Sequence, residues 1–393
     1  MNYIIFEDQN SSLLAPFSLT HPVFELRCGA YTNLERIIKN LNSDDSLTLI
    51  VRDELKDLVK HRYPGYEVNP QIISKGILLN AASIWSKNIF EEIKDGKTYL
   101  KQDILVSSHL NEDISFENFK LFCTSCKEVF SIIDIKYIKY LWECIDFNYE
   151  QITVDFKNYS NQKLGDVHSS VIIKNDEYVY IDKDVLIGPG TVIDASNGPV
   201  IITKGSKIDI GSLIQGPVFI GPNTKINPGT KLRGNIILGP VCKVGGEITD
   251  TIMQGYSNKQ HDGFLGHSYI CEWVNLGANT NNSNLKNNYG NVRFSLGDIN
   301  VETNKKFIGI MMGDYSKSGI STMFNTGTYV GVGANIFGGG FQKKMIKSFR
   351  WGEDDLTDLD KFIETCKIIK SRRGQVLHHS EISLLKYIYK NNK

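Results

Sequence analysis

The chain has 393 residues, which is long enough for two or three domains with sizeable cores. Its 44 Lys and Arg residues equal its 44 Asp and Glu residues, so no overall positive field attracts nucleic acid or an anionic membrane. No apolar run has the length of a membrane span, and the N-terminus lacks the basic start and cleavage site of a signal peptide. These features predict a cytoplasmic protein whose partners include neither nucleic acid nor a membrane.

The first 160 residues alternate short apolar strands with helical patterns. The expected elements are strands at 3–6, 46–51 and 76–80, and helices at 33–41, 54–61 and 134–147. Alternation of this kind predicts an α/β domain with a mainly parallel sheet over residues 1–160. Residues 151–171 are expected to form a linker into the next domain.

Eight aliphatic residues then stand six positions apart without interruption. They are Ile202, Ile208, Ile214, Ile220, Ile226, Leu232, Leu238 and Val244. A helix needs apolar spacing near 3.6 and an ordinary strand needs spacing of 2, so this period is typical of hexapeptide repeats. It predicts a left-handed parallel β-helix over residues 161–350, in which three repeats form one triangular coil. The alternative is a β-sandwich whose spacing is regular by chance.

The six-residue period breaks across residues 247–260 and again across residues 279–306, and then resumes until Ile336. We expect each break to be a loop that leaves the coil, where ligands are usually held. Apolar residues at helical spacing then predict a C-terminal helical cap over residues 351–393. A coil of this kind cannot bury its outer faces alone, which favours a homotrimer with clefts between neighbouring subunits.

The seven cysteines are scattered along the chain. Cys123 and Cys126 form a CxxC pair, but no second pair or nearby histidine completes a zinc site. We therefore expect reduced thiols and no metal bound by these cysteines.

Three motifs carry a resemblance to a known family. They are PFSLTHPVFELRCG at residues 16–29, HDGFLG at 261–266 and NLKNNYG at 284–290. Over nearly its whole length the chain resembles a set of sugar nucleotidyltransferases with a shortened N-terminal domain. Its coil also resembles the acetyltransferase half of the bifunctional bacterial enzymes that acetylate glucosamine-1-phosphate and uridylylate the product, which yields UDP-N-acetylglucosamine.

The resemblance implies an acetyltransferase site in the coil, with acetyl-CoA as the acyl donor and an amino sugar phosphate as the acceptor. His261 would be the general base, for which imidazole suits because its ordinary pKa lies near neutral pH. Asn275 and Arg233 would bind the sugar phosphate, since a planar guanidinium holds phosphate bidentately. Ala278 matches a backbone position that meets acetyl-CoA. For His261 the alternative is a structural role at the edge of a coil.

Two departures from the family motif put the substrate in doubt. Phe264 stands where the family has an aromatic residue that carries a hydroxyl group. Thr249 stands where the family has a phosphate-binding lysine. Asn288 and Tyr289 resemble residues of a family loop shifted by an insertion, and Lys286 would supply the missing cation. This asparagine-rich stretch is equally consistent with a solvated loop.

The resemblance also implies nucleotidyl transfer by the N-terminal domain, with a nucleoside triphosphate and Mg²⁺. Ordinary sugar nucleotidyltransferases cradle the triphosphate with a glycine-rich loop after the first strand, and no such glycines lie between Phe6 and Pro16. Arg27 is then the expected phosphate contact. Asp8 would help to hold magnesium, and its alternative role is to cap a turn.

Four functions stay open from the sequence. The first is an acyltransferase acting on an amino sugar phosphate, with or without nucleotidyl transfer. The second is a sugar-1-phosphate nucleotidyltransferase whose coil only trimerises it. The third is a non-catalytic sugar-nucleotide-binding or scaffold protein. The fourth, a β-helical zinc carbonic anhydrase, needs two histidines five apart, whereas His261 and His267 are six apart.

Overall fold

The computed structural model describes residues 1–93, 96–125, 130–132, 134–353 and 355–391. Cys126 of the CxxC pair lies outside the described residues. The helices are α1 (Asn33–Ile38), α2 (Lys56–Arg62), α3 (Lys87–Glu92), α4 (Phe116–Ser125), α5 (Glu143–Asp155), α6 (Leu359–Ser371) and α7 (His379–Asn391). Among these helices none is long and apolar enough to cross a membrane.

The N-terminal part contains a seven-stranded sheet. In spatial order its strands are Phe130–Ile132, Thr98–Lys101, Ile104–Leu110, Gly76–Asn80, Asn2–Phe6, Ser46–Ile50 and Glu67–Val68. The last four of these are mutually parallel, and Ile104–Leu110 runs antiparallel to both of its neighbours. Short paired strands flank the sheet: Arg27–Cys28 with Tyr31–Thr32, Ile72–Ile73 with Ile114–Ser115, and Ser83–Ile84 with Lys136–Tyr137.

Helix α5 begins and ends later than the sequence pattern predicts. Residues 136–137 pair as a strand instead of starting a helix, so α5 begins at Glu143. It continues to Asp155 through residues that were expected to be a linker. Asp155 is buried and accepts two hydrogen bonds from the Arg36 guanidinium, at 2.5 and 2.9 Å. This ion pair fixes the end of α5 against α1.

The following residues form a β-helix-like coil with three faces of stacked, parallel strands. The first face contains Asp166–Val167, Leu186–Ile187, Lys207–Ile208, Lys225–Ile226, Lys243–Val244, Asn258–Lys259, Asn275–Leu276, Lys317–Ser318, Asn335–Ile336 and Arg350–Trp351, to which Asp355–Leu356 adds antiparallel. The second contains Ile172–Lys174, Val192–Asp194, Leu213–Gln215, Lys231–Arg233, Asn281–Asn282 and Met323–Phe324. The third contains Val179–Ile181, Val200–Ile202, Val218–Ile220, Ile236–Leu238, Ile310–Met312, Thr328–Val330 and Met345–Ile346. The left-handed sense of the coil stays a prediction.

The aliphatic residues of the six-residue period point into the coil and are buried, as the period predicts. The prediction of a loop at 247–260 is wrong, because these residues stay in the coil. Glu247–Met253 and Phe264–Ile270 are single long strands that run along both the second and the third faces. One turn shrinks from eighteen residues, between Ile226 and Val244, to fifteen between Val244 and Lys259. The six-residue period therefore changes phase here because a corner of the coil is shorter, and not because a loop leaves the coil.

The second break is a true excursion from the coil. The chain leaves after Asn282 and returns at Ile310, and between them Arg293–Leu296 pairs with Ile299–Glu302 as a hairpin. The inner column of the coil continues across the gap, because Asn275–Leu276 pairs directly with Lys317–Ser318.

The third face is apolar on its outside as well as its inside. Its outward residues are Ile201, Phe219, Ile237, Ile252, Tyr269, Met311 and Tyr329, and all are buried in one cluster with the N-terminal core and α6 and α7. The contacts are specific: the Tyr269 hydroxyl accepts a hydrogen bond from the Arg27 backbone N–H, and its ring meets Phe17 edge-on at 5.8 Å. The N-terminal part therefore covers one of the three faces.

A buried ionic network crosses the seam, by which we mean the boundary between the N-terminal part and the third face of the coil. His21 contacts Glu25 through Nδ1 at 2.5 Å and Asp314 of the coil through Nε2 at 2.9 Å, and Arg62 donates to Glu25 at 2.7 Å. Burial alone would lower the pKa of His21, but the two carboxylates raise it to about 10. Burial alone would likewise raise the pKa of Glu25, but Arg62 and His21 lower it to about 2. His21 is therefore a cation between two carboxylates at neutral pH.

Helices α6 and α7 follow the coil, where the sequence pattern predicts helices. Lys370 of α6 donates to Glu381 of α7 at 2.5 Å, and the Tyr315 hydroxyl of the coil donates to the same carboxylate. The division into domains at residues 1–160, 161–350 and 351–393 stays a prediction, because the bounds of helices and strands do not define folding units.

Candidate functional site

A cleft of about 690 Å³ opens at the carboxyl ends of the parallel strands Asn2–Phe6 and Ser46–Ile50. In open α/β sheets, ligands bind outside the carboxyl ends of the strands. Phe116 and Phe119 of α4 form an apolar wall, and the polar lining includes Asp8, Arg52, Asp53, Asp103 and Lys120. The cleft therefore combines apolar surface with a few charged groups, as small-molecule sites do.

Asp8 lies in this cleft and also caps a turn. Its Oδ1 accepts the Asn10 backbone N–H at 2.8 Å, which starts the 3₁₀ helix Gln9–Leu14. Its Oδ2 accepts the Tyr137 hydroxyl at 2.7 Å and the Asn80 amide at 2.8 Å. A carboxylate offers about four acceptor sites, so Asp8 keeps one on Oδ1. Asp8 therefore caps the turn, as the alternative interpretation predicts, and its remaining acceptor site can still bind a ligand.

Arg27 does not line the cleft. It is buried, its Nη1 donates to the Ala30 carbonyl at 3.2 Å, and Glu35 lies 3.6 Å away. The cleft takes its positive charge from Arg52 and Lys120 instead. Arg52 donates through Nε and Nη2 to Glu7, and through Nη2 to the carbonyls of Ser18 and His21. Lys120 lies 3.7 Å from Asp53 in an exposed ion pair, which is weak enough for the lysine to turn toward a ligand.

His261 lies at the corner of the coil that joins the first and second faces. It is exposed, and it lies two residues after the inward strand residue Lys259. The corner is tightly stacked, because a Cβ on Gly245 of the turn above would lie 2.3 Å from the Gln260 carbonyl oxygen. His261 is therefore displayed on a closely packed edge of the coil and not on a loop.

Lys259 is a residue that the sequence patterns missed. It is 1% exposed and takes the inward place between Val244 above and Leu276 below. Its ammonium donates to the carbonyls of His261 at 2.6 Å and Asp262 at 3.3 Å. Burial lowers the pKa of Lys259 to about 8, against the opposing effect of Asp262. The lysine thus positions the His261 corner from inside the coil.

A signal for Lys259 does exist in the sequence. The run Cys242-Lys243-Val244 is followed in the next two turns by Ser257-Asn258-Lys259 and Val274-Asn275-Leu276. Each has a small or branched residue, a polar outward residue and an inward residue. Aligning these runs would have placed Lys259 inside.

Ala278 lies one turn below His261 on the same edge. The backbone N–H of Asn279 donates to the Asp262 carbonyl at 3.0 Å, so the two corners stack. Asn275 points outward on the adjoining first face, where its Oδ1 accepts the Asn258 amide at 3.3 Å. The structure therefore brings His261, Ala278 and Asn275 to one edge.

The remaining predicted substrate residues lie elsewhere in the subunit. Arg233 is the last residue of the strand Lys231–Arg233 in the second face and pairs with Glu247 at 2.6 Å. Lys286, Asn288 and Tyr289 lie on the excursion, where Lys286 donates to the Asn291 carbonyl and Tyr289 is 68% exposed. Among the described residues, no hydrogen bond or ion pair joins any of these side chains to His261.

His267 forms a second polar cluster that the sequence did not indicate. Its Nδ1 lies 3.0 Å from the Asn284 amide nitrogen, and its Nε2 lies 3.8 Å from Asp250. Its ring stacks on Phe307 at 5.0 Å. Burial lowers the pKa of His267, with Asp250 opposing this. A neutral His267 therefore holds the excursion against the coil through its contacts with Asn284 and Phe307.

Parts of the chain are similar to known proteins. Residues 3–163 match the model of a family described as sugar nucleotidyl transferase, over about two fifths of the chain. A search of curated proteins finds no match. This family match supports an enzyme of the transferase kind with a role in sugar-nucleotide chemistry.

Two solved structures are similar to part of the chain. A UDP-N-acetylglucosamine acyltransferase of Arabidopsis is 13% identical, with a TM-score of 0.30, and the match covers 53% of this chain and 79% of that one. A hexapeptide transferase family protein from Anaplasma phagocytophilum is 12% identical, with a TM-score of 0.12, over 56% and 91% of the two chains. TM-scores this low support no inference about function.

Replacing Lys259 with Met tests its positioning role. The apolar side chain fits the inward column, so we expect the coil to fold, while the two carbonyls lose their shared donor. The backbone N–H of Asn279 should then exchange with deuterium at least about tenfold faster, measured by hydrogen exchange. Leu276→Met, in the same column, is the control and should leave that rate unchanged. Equal rates in wild type and Lys259→Met would show that the lysine does not hold the corner.

Proposed function

We propose that the protein is a sugar-1-phosphate nucleotidyltransferase whose nucleotide binds in the cleft at residues 6–10. The observation that carries this proposal is the position of the cleft, at the carboxyl ends of parallel strands within the segment that matches the sugar nucleotidyl transferase family. The apolar wall of Phe116 and Phe119 suits a nucleotide base.

The reaction joins two phosphates. An oxygen of the sugar-1-phosphate attacks the α-phosphorus of the nucleoside triphosphate, a new P–O bond forms, and the bond to the β-phosphate breaks with release of pyrophosphate. The protein contributes mainly positioning and charge in phosphoryl chemistry. Without a glycine-rich loop, Lys120 and Arg52 are the groups of this cleft that face the negative charge of the phosphates.

The residues of the cleft fit a magnesium ion. Mg²⁺ is usually bound by one or two carboxylates together with substrate phosphates. Asp8 has one acceptor site left, and Asp53 and Asp103 line the same cleft. Among the described residues, no three carboxylates lie close enough together to hold a metal by themselves. Asp8 would therefore hold the ion together with the triphosphate, and the ion would supply charge neutralisation.

Asp8→Asn should lower the rate of pyrophosphate release from UTP or dTTP with a sugar-1-phosphate by at least about 100-fold, because it removes the charge that faces the metal. Lys120→Gln, on the exposed wall, should lower kcat/KM by about tenfold without affecting folding. Asp57→Asn, an exposed carboxylate of α2, is the matched control. A wild-type protein that binds nucleotides without releasing pyrophosphate would contradict the proposal and favour the scaffold alternative.

We propose acetyl transfer at His261 as a second activity of the coil. It is supported by the exposed imidazole on a stacked edge shared with Ala278 and Asn275, with its corner held by Lys259. His261 would take the proton of a sugar amine as the nitrogen attacks the thioester of acetyl-CoA and the CoA thiolate leaves. Because Arg233 and the excursion make no hydrogen bond or ion pair with His261 among the described residues, a neighbouring subunit of a homotrimer would supply them.

His261→Ala should abolish the release of free thiol from acetyl-CoA with glucosamine-1-phosphate while leaving the size of the oligomer unchanged. The residue is exposed, so its truncation costs little stability. His168→Ala, an exposed histidine at the start of the coil, should keep full activity. Full thiol release by His261→Ala would remove the base assignment, and a wild type without thiol release would remove the activity.

A further inference from the structure

Three lysines stack directly above one another on the outside of the first face. Lys207 pairs in register with Lys225, and Lys225 pairs in register with Lys243. The next two outward positions are Asn258 and Asn275. Neighbouring strands lie about 4.8 Å apart, so the three ammonium groups can form a continuous line of positive charge.

The three lysines have no acidic partner among the residues that the structure describes. Within the described part of the chain, no carboxylate lies within ion-pair distance of Lys207, Lys225 or Lys243. The carboxylates near the stack are engaged elsewhere: Asp184 faces Lys204, and Asp209 accepts its neighbouring backbone N–H. Like charges on directly opposite strand positions are unfavourable, so the stack costs stability unless an anion binds it.

Helix α6 adds two more cations to this line. Arg372 is the C-cap residue of α6, and the next residue, Arg373, donates to the Asn258 side chain at 2.6 Å. Burial lowers the pKa of Lys243, and Arg373, Arg372 and Lys225 lower it further. Basic residues do suit the C-terminal end of a helix, but that does not explain why Arg373 is anchored beside the lysines.

We propose that the basic stripe, composed of Lys207, Lys225, Lys243, Arg372 and Arg373, binds the phosphates of a ligand that carries two or more of them. An oxygen placed between two ammonium groups about 5 Å apart can accept a hydrogen bond of about 2.8 Å from each. A chain of phosphates can therefore run along the stack, with each oxygen bridging two turns of the coil.

The chemistry fits two sources, coenzyme A and a nucleoside triphosphate. The stripe lies on the coil, whereas the proposed nucleotide cleft lies in the N-terminal part, so binding here is a separate site. It also lies on the face that carries Asn275, next to the edge of His261. The proposal does not depend on either proposed reaction, because no carboxylate in the described ranges pairs with the stripe, whichever reaction occurs.

Isothermal titration calorimetry tests this with pyrophosphate, CoA and UTP at low salt. The double variant Lys225→Gln and Lys243→Gln should weaken pyrophosphate binding at least about tenfold, and wild-type affinity should fall as salt rises. Lys231→Gln, an exposed lysine on the second face of the same turn, is the control and should change affinity less than twofold. Thermal unfolding of the double variant should be unchanged or shifted upward, because repulsion is relieved.

The three ligands separate the possible sources. Loss of CoA binding alone assigns the stripe to CoA, and loss of UTP binding alone assigns it to the nucleotide. Loss of both assigns it to the shared phosphates. If the wild type does not bind pyrophosphate, CoA or UTP, or if the double variant binds all three as tightly as the control, the proposal is overturned.

Discussion

The outward apolar residues of the third face set the arrangement of the whole molecule. A coil of stacked strands ordinarily buries only its interior, but here seven outward side chains are also buried, among them Phe219 and Tyr269. Burying one large apolar side chain contributes about 1.5–3 kcal/mol, so seven contribute on the order of 10 kcal/mol. Net stabilities of proteins are about 5–15 kcal/mol. Separating the N-terminal part from the coil would therefore cost about as much as unfolding.

The buried ions at this seam make the docking specific. His21 holds Glu25 and Asp314 together, and Arg62 completes the charge balance on Glu25. A buried ion pair is weak evidence for stability, but removing one partner costs about 3–5 kcal/mol because the other charge stays buried. The network thus penalises any shift of the N-terminal part along the coil. Both candidate reaction centres are placed by this rigid frame: the cleft with Asp8 on one side and the edge with His261 on the other.

Repetition decided how much the sequence could predict. The inward positions of the coil followed from one period, since each turn repeats the same geometry, and the strands at 46–50 and 76–80 were recognisable because they are short and apolar. The period could not show that a corner near Val244 is shortened, since a phase shift looks like a loop. It also could not place a lysine inside the coil, because Lys259 is tolerated only through the two carbonyls that fold back to it.

The residues of the candidate sites were less predictable, because they meet through folding and not through spacing. Arg27 was expected from its motif to contact phosphate. In the structure its guanidinium donates to the Ala30 carbonyl, and it does not line the cleft. The His267 cluster joins residues from the coil and the excursion that lie far apart in sequence. Differential scanning calorimetry of the full chain tests the shared seam most directly. The account predicts one cooperative unfolding transition, which His21→Gln moves as a whole to lower temperature. Two separate transitions, or a His21→Gln effect confined to one of them, would contradict it.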